Sequence, residues 1–152
     1  MLDAAKVGPD DVVYDLGCGD GRLVIEAARR FGARGVGVDL DPERVAEARA
    51  NVEKAGLGHL VTIEQRNIFD VDLRPATVVT LYLLPSINVK LIPQLERLRK
   101  GARIVSHDFG MEGIEYDSVV EVIAKHHRPP PELREHYVYR WTTPLERIAT
   151  VP

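Results

Sequence analysis

The chain has 152 residues, of which 45% are hydrophobic and 28% charged, a composition typical of a soluble globular domain with one core. Its formal net charge of −3 argues against nucleic-acid binding through general basicity, and its single cysteine excludes an internal disulfide. The apolar runs are too short to span a bilayer and the N-terminus lacks a signal-peptide pattern, so we expect one cytoplasmic domain over residues 1–152.

Apolar segments of strand length alternate with amphipathic segments through the first two thirds of the chain. Asp41 and Pro42 are typical of a helix start, and Gly32 and Gly56 are typical of helix ends. The pattern predicts strands at 12–16, 35–39, 60–65, 78–84 and 102–107 and helices at 22–31, 42–55 and 86–100. Pro93 is expected to break or kink the last of these helices.

The last third of the chain predicts two further strands, at 118–124 and 137–142, with a Pro-rich loop between them. Consecutive strands without a crossover helix pair antiparallel. The predicted fold is therefore α/β: a Rossmann-like, doubly wound, seven-stranded, mostly parallel sheet with a C-terminal antiparallel strand pair.

Three histidines accompany the Pro-rich loop: His126, His127 and His136. Their surroundings contain no cysteines and no clustered carboxylates, which disfavours a metal site. We interpret these histidines as part of a solvated loop that could contact a substrate protein, and we predict no metal.

The stretch DLGCGDG, at residues 15–21, directly follows the first predicted strand. Ligands of open parallel sheets bind at the carboxyl ends of strands, where loop N–H groups and a helix start face the crevice. The spacing G-x-G-x-G differs from the G-x-G-x-x-G of dinucleotide sites, and Arg22 stands where that pattern has its third glycine. The tighter loop favours a ligand with an amino-acid group over one with a pyrophosphate.

Two polar residues at later strand ends predict a nucleoside ligand. Asp39 ends the second strand, where a carboxylate can accept hydrogen bonds from both hydroxyls of a ribose. Asn67 follows the third strand, where its amide could pair with an adenine edge, and Leu40 and Ile68 could enclose the ring. The alternative is that Asp39 and Asn67 are only polar residues of a strand end and a turn.

The segments DLGCGDG, VDLDPE and RNIFD together resemble class I S-adenosylmethionine-dependent methyltransferases, and the resemblance extends over nearly the whole chain. It implies that S-adenosyl-L-methionine is the cofactor. The residues that it assigns to the cofactor are Asp15, Gly17 and Gly19 around the methionine portion, Asp39 at the ribose, and Asn67 and Ile68 around the adenine. Cys18, inside the loop, is a further candidate for cofactor contact or only a small loop residue. The family more often has Asp where Asn67 stands.

Within that class, LYLLPS and GARIVSHDF most resemble small prokaryotic relatives of mitochondrial protein-lysine methyltransferases. This closer resemblance implies in-line transfer of a methyl group to a nitrogen nucleophile, the side chain of a protein lysine. A small-metabolite acceptor and a non-catalytic domain that binds the cofactor or a partner are the alternatives. The chain lacks the Asn/Asp-Pro-Pro-aromatic motif of many DNA- and glutamine-methylating relatives, which disfavours those acceptors.

The acceptor nitrogen is expected beyond the fourth strand, where the candidates for positioning it are Tyr82, the backbone carbonyl of Leu84, and Ser86. Ser86 is alternatively the N-cap of the next helix. His107 and Asp108 end the fifth strand, where they either contact substrate or form a structural pair. Only about ten residues precede the first strand. Members of this class usually cover the cofactor with an N-terminal segment, so we expect a site that is open, or completed by a partner or by further residues.

Overall fold

The computed structural model describes residues 1–125 and 133–149, so the predicted loop residues His126 and His127 lie outside the described residues. Within this part the elements are β1 Val12–Leu16, α1 Arg22–Phe31, β2 Arg34–Asp39, α2 Pro42–Ala55, β3 Val61–Gln65, a 3₁₀ helix Ile68–Asp70, β4 Val78–Leu81, α3 Pro85–Leu95, β5 Arg103–His107, β6 Ser118–Lys125 and β7 Leu133–Thr142. The strands form one sheet in the order β3-β2-β1-β4-β5-β7-β6. Strands β1 to β5 are parallel, and β7 is antiparallel to both neighbours, which confirms the predicted fold.

The strand order reverses beside β1. The chain runs outward from β1 to β2 and β3, and then crosses back to place β4 on the other side of β1. Leu16, the last residue of β1, pairs with Val38 of β2 and with Leu81 of β4. The carboxyl ends of β1 and β4 therefore border a crevice, which is where open parallel sheets bind their ligands.

Helices cover both faces of the sheet, as the nearly continuous apolar strands predict. The N-terminal turn, α1 and α2 lie on one face, where Val13 and Val78 are fully buried with Ala27. Helix α3 lies on the other face, where Leu91 is buried in one cluster with Trp141 of β7. Among the described residues, each helix is too short or too polar to span a bilayer.

Local sequence signals set the ends of α1 and α2. Gly32 and Gly56 both have φ of 68°, the left-handed conformation that ends a helix at low cost for glycine. Asp41 caps α2 by accepting a hydrogen bond from the backbone N–H of Glu43 at 2.9 Å, and Pro42 is the first helical residue. The predicted bounds of both helices are confirmed.

The segment after β4 differs from the prediction. The strand ends at Leu81 and not at residue 84, because Leu81 is the last residue that pairs with β1 and β5. Helix α3 begins at Pro85 with Leu84 as its N-cap residue. Ser86 therefore lies inside the first turn, and its interpretation as the N-cap is wrong.

The far end of α3 is also shorter than predicted. The helix ends at Leu95, two residues after Pro93, and not at residue 100. Proline lacks the N–H that would donate to the carbonyl four residues earlier and its ring crowds that carbonyl, yet α3 continues through Pro93 and ends two residues beyond it, so the predicted break does not fall at the proline itself.

The C-terminal hairpin is longer than predicted. Its ladder continues to the pair Lys125 and Leu133, beyond the predicted strand ends. Arg134, Glu135 and His136 belong to β7 although they break the apolar alternation, because each of them pairs with a residue of β6. Cross-strand pairing, which a single strand's pattern does not reveal, decides this extension.

Candidate active site

The loop after β1 is held in a conformation that favours glycine. Gly17, Gly19 and Gly21 have φ of 79°, 55° and 80°, a region that other residues occupy only with strain. The backbone N–H groups of Gly17 and Cys18 both donate to the carbonyl of Val38, at 2.8 and 2.9 Å. The loop thus folds back onto the end of β2, and its own backbone forms the crevice wall.

Asp39 joins this loop to the start of α2. One carboxylate oxygen accepts a hydrogen bond from the N–H of Gly19 at 2.9 Å, and the other accepts from the N–H of Asp41 at 3.0 Å. A carboxylate has about four lone-pair directions, so each oxygen retains capacity for a ligand hydroxyl. Asp39, the residue predicted to bind the ribose, therefore also holds the glycine loop in place.

A cavity of about 740 Å³ opens beside the loop, within the usual range of small-ligand sites. Its lining comprises Met1, Leu2, Asp3, Asp15, Gly17, Cys18, Gly19, Asp20, Arg22, Leu23, Glu26, Arg30, Arg44, Tyr82 and His107. The structure brings four of the predicted cofactor residues together here: Asp15, Gly17, Cys18 and Gly19. The N-terminal turn supplies one wall, so the few residues before β1 already cover one side of the site.

Asp15 is the buried charge of this cavity. Its carboxylate accepts a hydrogen bond from the Thr80 hydroxyl at 2.8 Å. Burial raises the pKa of Asp15 from 3.8 to about 6, with the charges of Asp39 and Asp20 adding to the rise. An ionised carboxylate in this position lacks a cationic partner among the described residues, and a positively charged ligand group would supply one.

Cys18 contributes packing to the loop. Its side chain is buried in the cluster between α1, α2 and β3, and burial raises the pKa of its thiol to about 12, with Asp15 and Asp39 adding to the rise. A thiol that stays protonated is a poor nucleophile and a poor metal ligand. Its place in the cavity wall is that of a small residue in a tight turn.

Asp39 and the other predicted cofactor residues are not among the residues that line the cavity. Leu40 is 62% exposed, and Ile68 is half-buried against the core under α3. Asn67 uses its side-chain oxygen to cap the 3₁₀ helix, accepting from the N–H of Phe69 at 3.0 Å. Their contact with an adenine stays a prediction, and it would place the base on the open surface beside β2 and β3.

The predicted acceptor residues divide in the same way. Tyr82 lines the cavity and stacks on His107, with 4.4 Å between ring centroids. Ser86 is exposed in α3 and outside the cavity lining. The carbonyl of Leu84 already accepts from the N–H groups of Ile87 and Asn88, at 3.0 and 3.1 Å. Two donors already share this oxygen at the start of α3, and its contact with an acceptor nitrogen stays a prediction.

Sequence reasoning missed His136 as a residue of this site. Asp108 contacts His136 Nδ1 at 2.8 Å with one oxygen and His107 Nε2 at 3.4 Å with the other. The ligand-type atoms of these three residues lie within 4.8 Å of one another. Antiparallel pairing of β5 with β7 opposes His107 to Val138 and carries His136 past the end of β5, a register that the loop composition did not reveal.

This chain is similar to known proteins over most of its length. The family described as the ANTKMT methyltransferase domain matches residues 15–118, from Asp15 to the start of β6. The chain belongs to this family.

The relatives of this methyltransferase include enzymes with protein acceptors. A protein-lysine N-methyltransferase of Saccharolobus islandicus is 48% identical over 124 residues, which cover 80% of this chain and 77% of that protein. The adenine nucleotide translocase lysine N-methyltransferase of Mus musculus is 38% identical over 111 residues, covering 72% of this chain and 48% of the mouse protein. The chain thus spans about half the length of that animal relative.

Among solved structures, an RNA methyltransferase from Salinibacter ruber in complex with S-adenosyl-L-homocysteine has a TM-score of 0.85 and 49% identity. The similarity covers 98% of this chain and 90% of the Salinibacter chain. This methyltransferase therefore uses S-adenosyl-L-methionine, which supplies a methyl group on a positively charged sulfur. The buried Asp15 carboxylate and the exposed backbone of the glycine loop fit the cationic methionine portion of that cofactor.

Proposed function

We propose that this methyltransferase transfers the methyl group to the side-chain nitrogen of lysine residues in proteins. The observation that carries the proposal is the similarity to the protein-lysine N-methyltransferase of Saccharolobus islandicus, at 48% identity over 80% of this chain. The chain's own residues would hold the cofactor at the glycine loop and Asp39, and receive the lysine from the side of Tyr82 and His107.

The charges of the cavity favour a cationic ligand over an anionic one. Its acidic lining residues are Asp3, Asp15, Asp20 and Glu26, and its basic ones are Arg22, Arg30 and Arg44. Arg22 is paired with Asp20 at 2.8 Å, and Arg30 with Asp3 at 3.0 Å. The buried Asp15 faces no basic partner among the described residues, so the cavity favours positive charge.

RNA is the second candidate acceptor, because the Salinibacter enzyme is described as an RNA methyltransferase. RNA recognition relies on basic side chains that neutralise phosphates. The net charge of −3 and the pairing of Arg22 and Arg30 with carboxylates favour the lysine proposal over this one.

Methyl labelling separates these acceptors. The purified protein is incubated with tritiated S-adenosylmethionine and a cell extract, and the label is followed after protease or ribonuclease treatment. Acid hydrolysis and chromatography then identify methyllysine. We expect protease-sensitive label recovered as methyllysine, and much less of it with the Asp39→Ala variant at a cofactor concentration that does not saturate the variant. Label that ribonuclease releases, or that appears only in small metabolites, would overturn the proposal.

A further inference from the structure

His107 lines the cavity beside Tyr82 and forms a cluster with two further titratable side chains, Asp108 and His136, which lie outside the cavity lining. We propose that His107 is a catalytic residue that takes the proton from the acceptor nitrogen, and that Asp108 and His136 position its ring. This inference rests on the proposed lysine acceptor. The proposal rests on three observations: His107 lines the cavity, the Asp108 carboxylate contacts the His107 imidazole, and the His136 imidazole contacts the same carboxylate.

The geometry is that of an oriented base. His107 presents one ring face to Tyr82, which fixes the plane of the imidazole, and Nε2 points to Asp108 at 3.4 Å. The 3.4 Å separation is an electrostatic contact, and the proposal assigns the proton of the neutral ring to Nε2, on the carboxylate side, which leaves the lone pair on Nδ1. Asp108 contacts His136 Nδ1 at 2.8 Å, and the two imidazole rings meet edge to face at 4.9 Å. His107 as the base, Asp108 as the carboxylate that orients it, and His136 as the partner of that carboxylate are thus arranged as in other proton-accepting sites.

The backbone places Asp108 at some cost. Its φ of 64° is unusual for a residue other than glycine, and such strain is typical of functional positions. Two hydrogen bonds with Tyr137 hold it there: the Asp108 N–H donates to the Tyr137 carbonyl at 2.6 Å, and Asp108 Oδ1 accepts from the Tyr137 N–H at 3.0 Å. The buried amide of Asn88 donates to the carbonyls of Phe109 and Gly110, which fixes the loop that follows.

The charges around the ring favour a neutral imidazole beside an ionised carboxylate. Burial lowers the pKa of His107, and His136 and the α-amino group of Met1 add to the lowering, while Asp108 opposes it. Burial also opposes ionisation of Asp108, but hydrogen bonds from His136 and the Tyr137 N–H more than offset it and keep its pKa below the usual value. Tyr82, packed on the ring, and Asp15, elsewhere in the same cavity, are the further titratable groups facing this end.

The proton balance of the step is simple. A lysine side chain arrives protonated at neutral pH, since its usual pKa is about 10.4, and must lose one proton to become a nucleophile. His107 takes that proton and becomes imidazolium, which Asp108 stabilises. The nitrogen lone pair then forms the bond to the methyl carbon, while the electron pair of the carbon–sulfur bond stays on sulfur. The methylated nitrogen carries the positive charge that the sulfur loses, and His107 releases its proton to water.

A bound metal ion is the competing use of these three residues. His136 Nδ1 and an Asp108 oxygen are at hydrogen-bond distance, and the other Asp108 oxygen accepts from a backbone N–H. A metal would have to displace the first of these contacts, whereas His107 acting as a base leaves both contacts in place. The observations therefore favour the proton, and metal dependence becomes an outcome of the test.

The first measurement follows the His107 imidazole of the cofactor-free protein by NMR during a pH titration, with His107→Gln used to assign its signals. We expect a His107 pKa below the ordinary value, and a lower one in Asp108→Asn, because the carboxylate charge favours the imidazolium. An ordinary pKa that Asp108→Asn leaves unchanged would overturn the proposal without reference to any acceptor.

The second measurement is the single-turnover rate of methyllysine formation between pH 6 and 9.5. The acceptor is heat-denatured protein from a cell extract depleted of RNA, and the cofactor is saturating. A general base contributes about 10²- to 10⁴-fold, so we expect His107→Gln to lose about a hundredfold or more at pH 7. That deficit should shrink as pH rises and lysine deprotonates in solution. His59→Gln, an exposed histidine outside the cavity, is the matched control and should retain the wild-type profile.

The outcomes are distinguishable. A His107→Gln deficit that is equal at every pH indicates a structural role, and an undiminished rate excludes any role; either result overturns the proposal. Loss of wild-type activity on EDTA treatment with recovery on adding Zn²⁺ assigns the three residues to a metal and also overturns it. If the wild-type protein forms no methyllysine at any pH, the lysine acceptor itself has failed, and the NMR titration alone decides whether Asp108 tunes His107.

Discussion

The two ends of the cavity differ in what forms them, backbone groups at one end and side chains at the other. At the cofactor end the glycine loop lines the cavity, Asp39 holds the loop from outside the lining, and hydrogen bonds from loop N–H groups determine the shape. At the acceptor end Tyr82 and His107 line the cavity, and Asp108 and His136 contact His107 from outside the lining, so that side chains from three separate segments meet. Tyr82 is 59% exposed there, so this end tolerates change in shape.

This difference implies different vulnerabilities. Behind the glycine loop, Gly37 packs against Cys18 and Ile63 without room for a side chain, so a small addition there should disturb both the fold and cofactor binding. A side-chain wall can lose an exposed ring with little effect on the fold, and should instead change how an acceptor is received. Substitutions at the two ends can therefore test whether the ends are separable.

The largest effect is expected at Asp39. Asp39→Ala removes the acceptor for the Gly19 N–H and the predicted ribose hydrogen bonds, and charge-assisted bonds are worth about 1.5–3 kcal/mol each. Affinity for S-adenosylhomocysteine should fall about 10- to 100-fold in calorimetric titration. Asp41→Ala is the control: it removes the cap of α2, costs about 1 kcal/mol of stability, and should leave affinity unchanged. Equal affinity of Asp39→Ala and wild type would refute the ribose assignment.

The next effect should come from a single methyl group at Gly37. A Cβ there would lie 2.9 Å from Cys18 Sγ and 2.9 Å from Ile63 Cδ1, both buried. Gly37→Ala should lower the free energy of unfolding by about 1–3 kcal/mol, measured by urea denaturation, and weaken cofactor binding through the displaced loop. Gly58→Ala makes the same chemical change where no atom lies within 4 Å, and should be neutral or slightly stabilising. Similar stability of the two variants would contradict the close packing of the cofactor end.

The third effect depends on pH. Because burial raises the pKa of Asp15 to about 6, its carboxyl binds a proton in the folded protein where the unfolded chain stays ionised, and by itself stabilises the fold as pH falls from about 6 to about 4. A cationic cofactor needs the ionised form, so binding should release a proton below pH 6. Affinity should fall about tenfold between pH 7 and pH 5. Asp15→Asn should bind more weakly and show a flat profile over this range; a flat profile in the wild type would contradict the contact.

The smallest effect is expected from Tyr82→Ala at the acceptor end. Tyr82→Ala removes the ring stacked on His107, a contact worth about 0.5–1.5 kcal/mol, and an exposed part of the wall that would receive the acceptor, so the acceptor KM should rise about 2- to 10-fold. Cofactor affinity should stay close to wild type, and the thermal unfolding temperature should fall by no more than a few degrees. The control is Tyr116→Ala, at another exposed tyrosine that has one ring partner but lies outside the cavity. It should change neither the acceptor KM nor the cofactor affinity. A loss of cofactor affinity in Tyr82→Ala would show that the two ends are not separable.

The sequence alone determined the cofactor end. DLGCGDG specified the left-handed turns that only glycine adopts without strain, and the capping residues around α1 and α2 placed the loop and Asp39 at neighbouring strand ends. These signals act within a few residues of each other, so local conformational preference is enough to predict them. The family resemblance rests on the same segments.

Tertiary structure alone decided the acceptor end. The use of the Leu84 carbonyl inside α3, the departure of residues 82–84 from the sheet, and the meeting of Asp108 with His136 depend on where α3 starts and on the register between β5 and β7. A ladder register is set by long-range pairing and packing, and His136 looked like a loop residue because nothing near it in sequence encodes its partner on β5. Short-range signals therefore specified the loop that is predicted to hold the cofactor, and only the assembled sheet determined which side chains meet beside Tyr82.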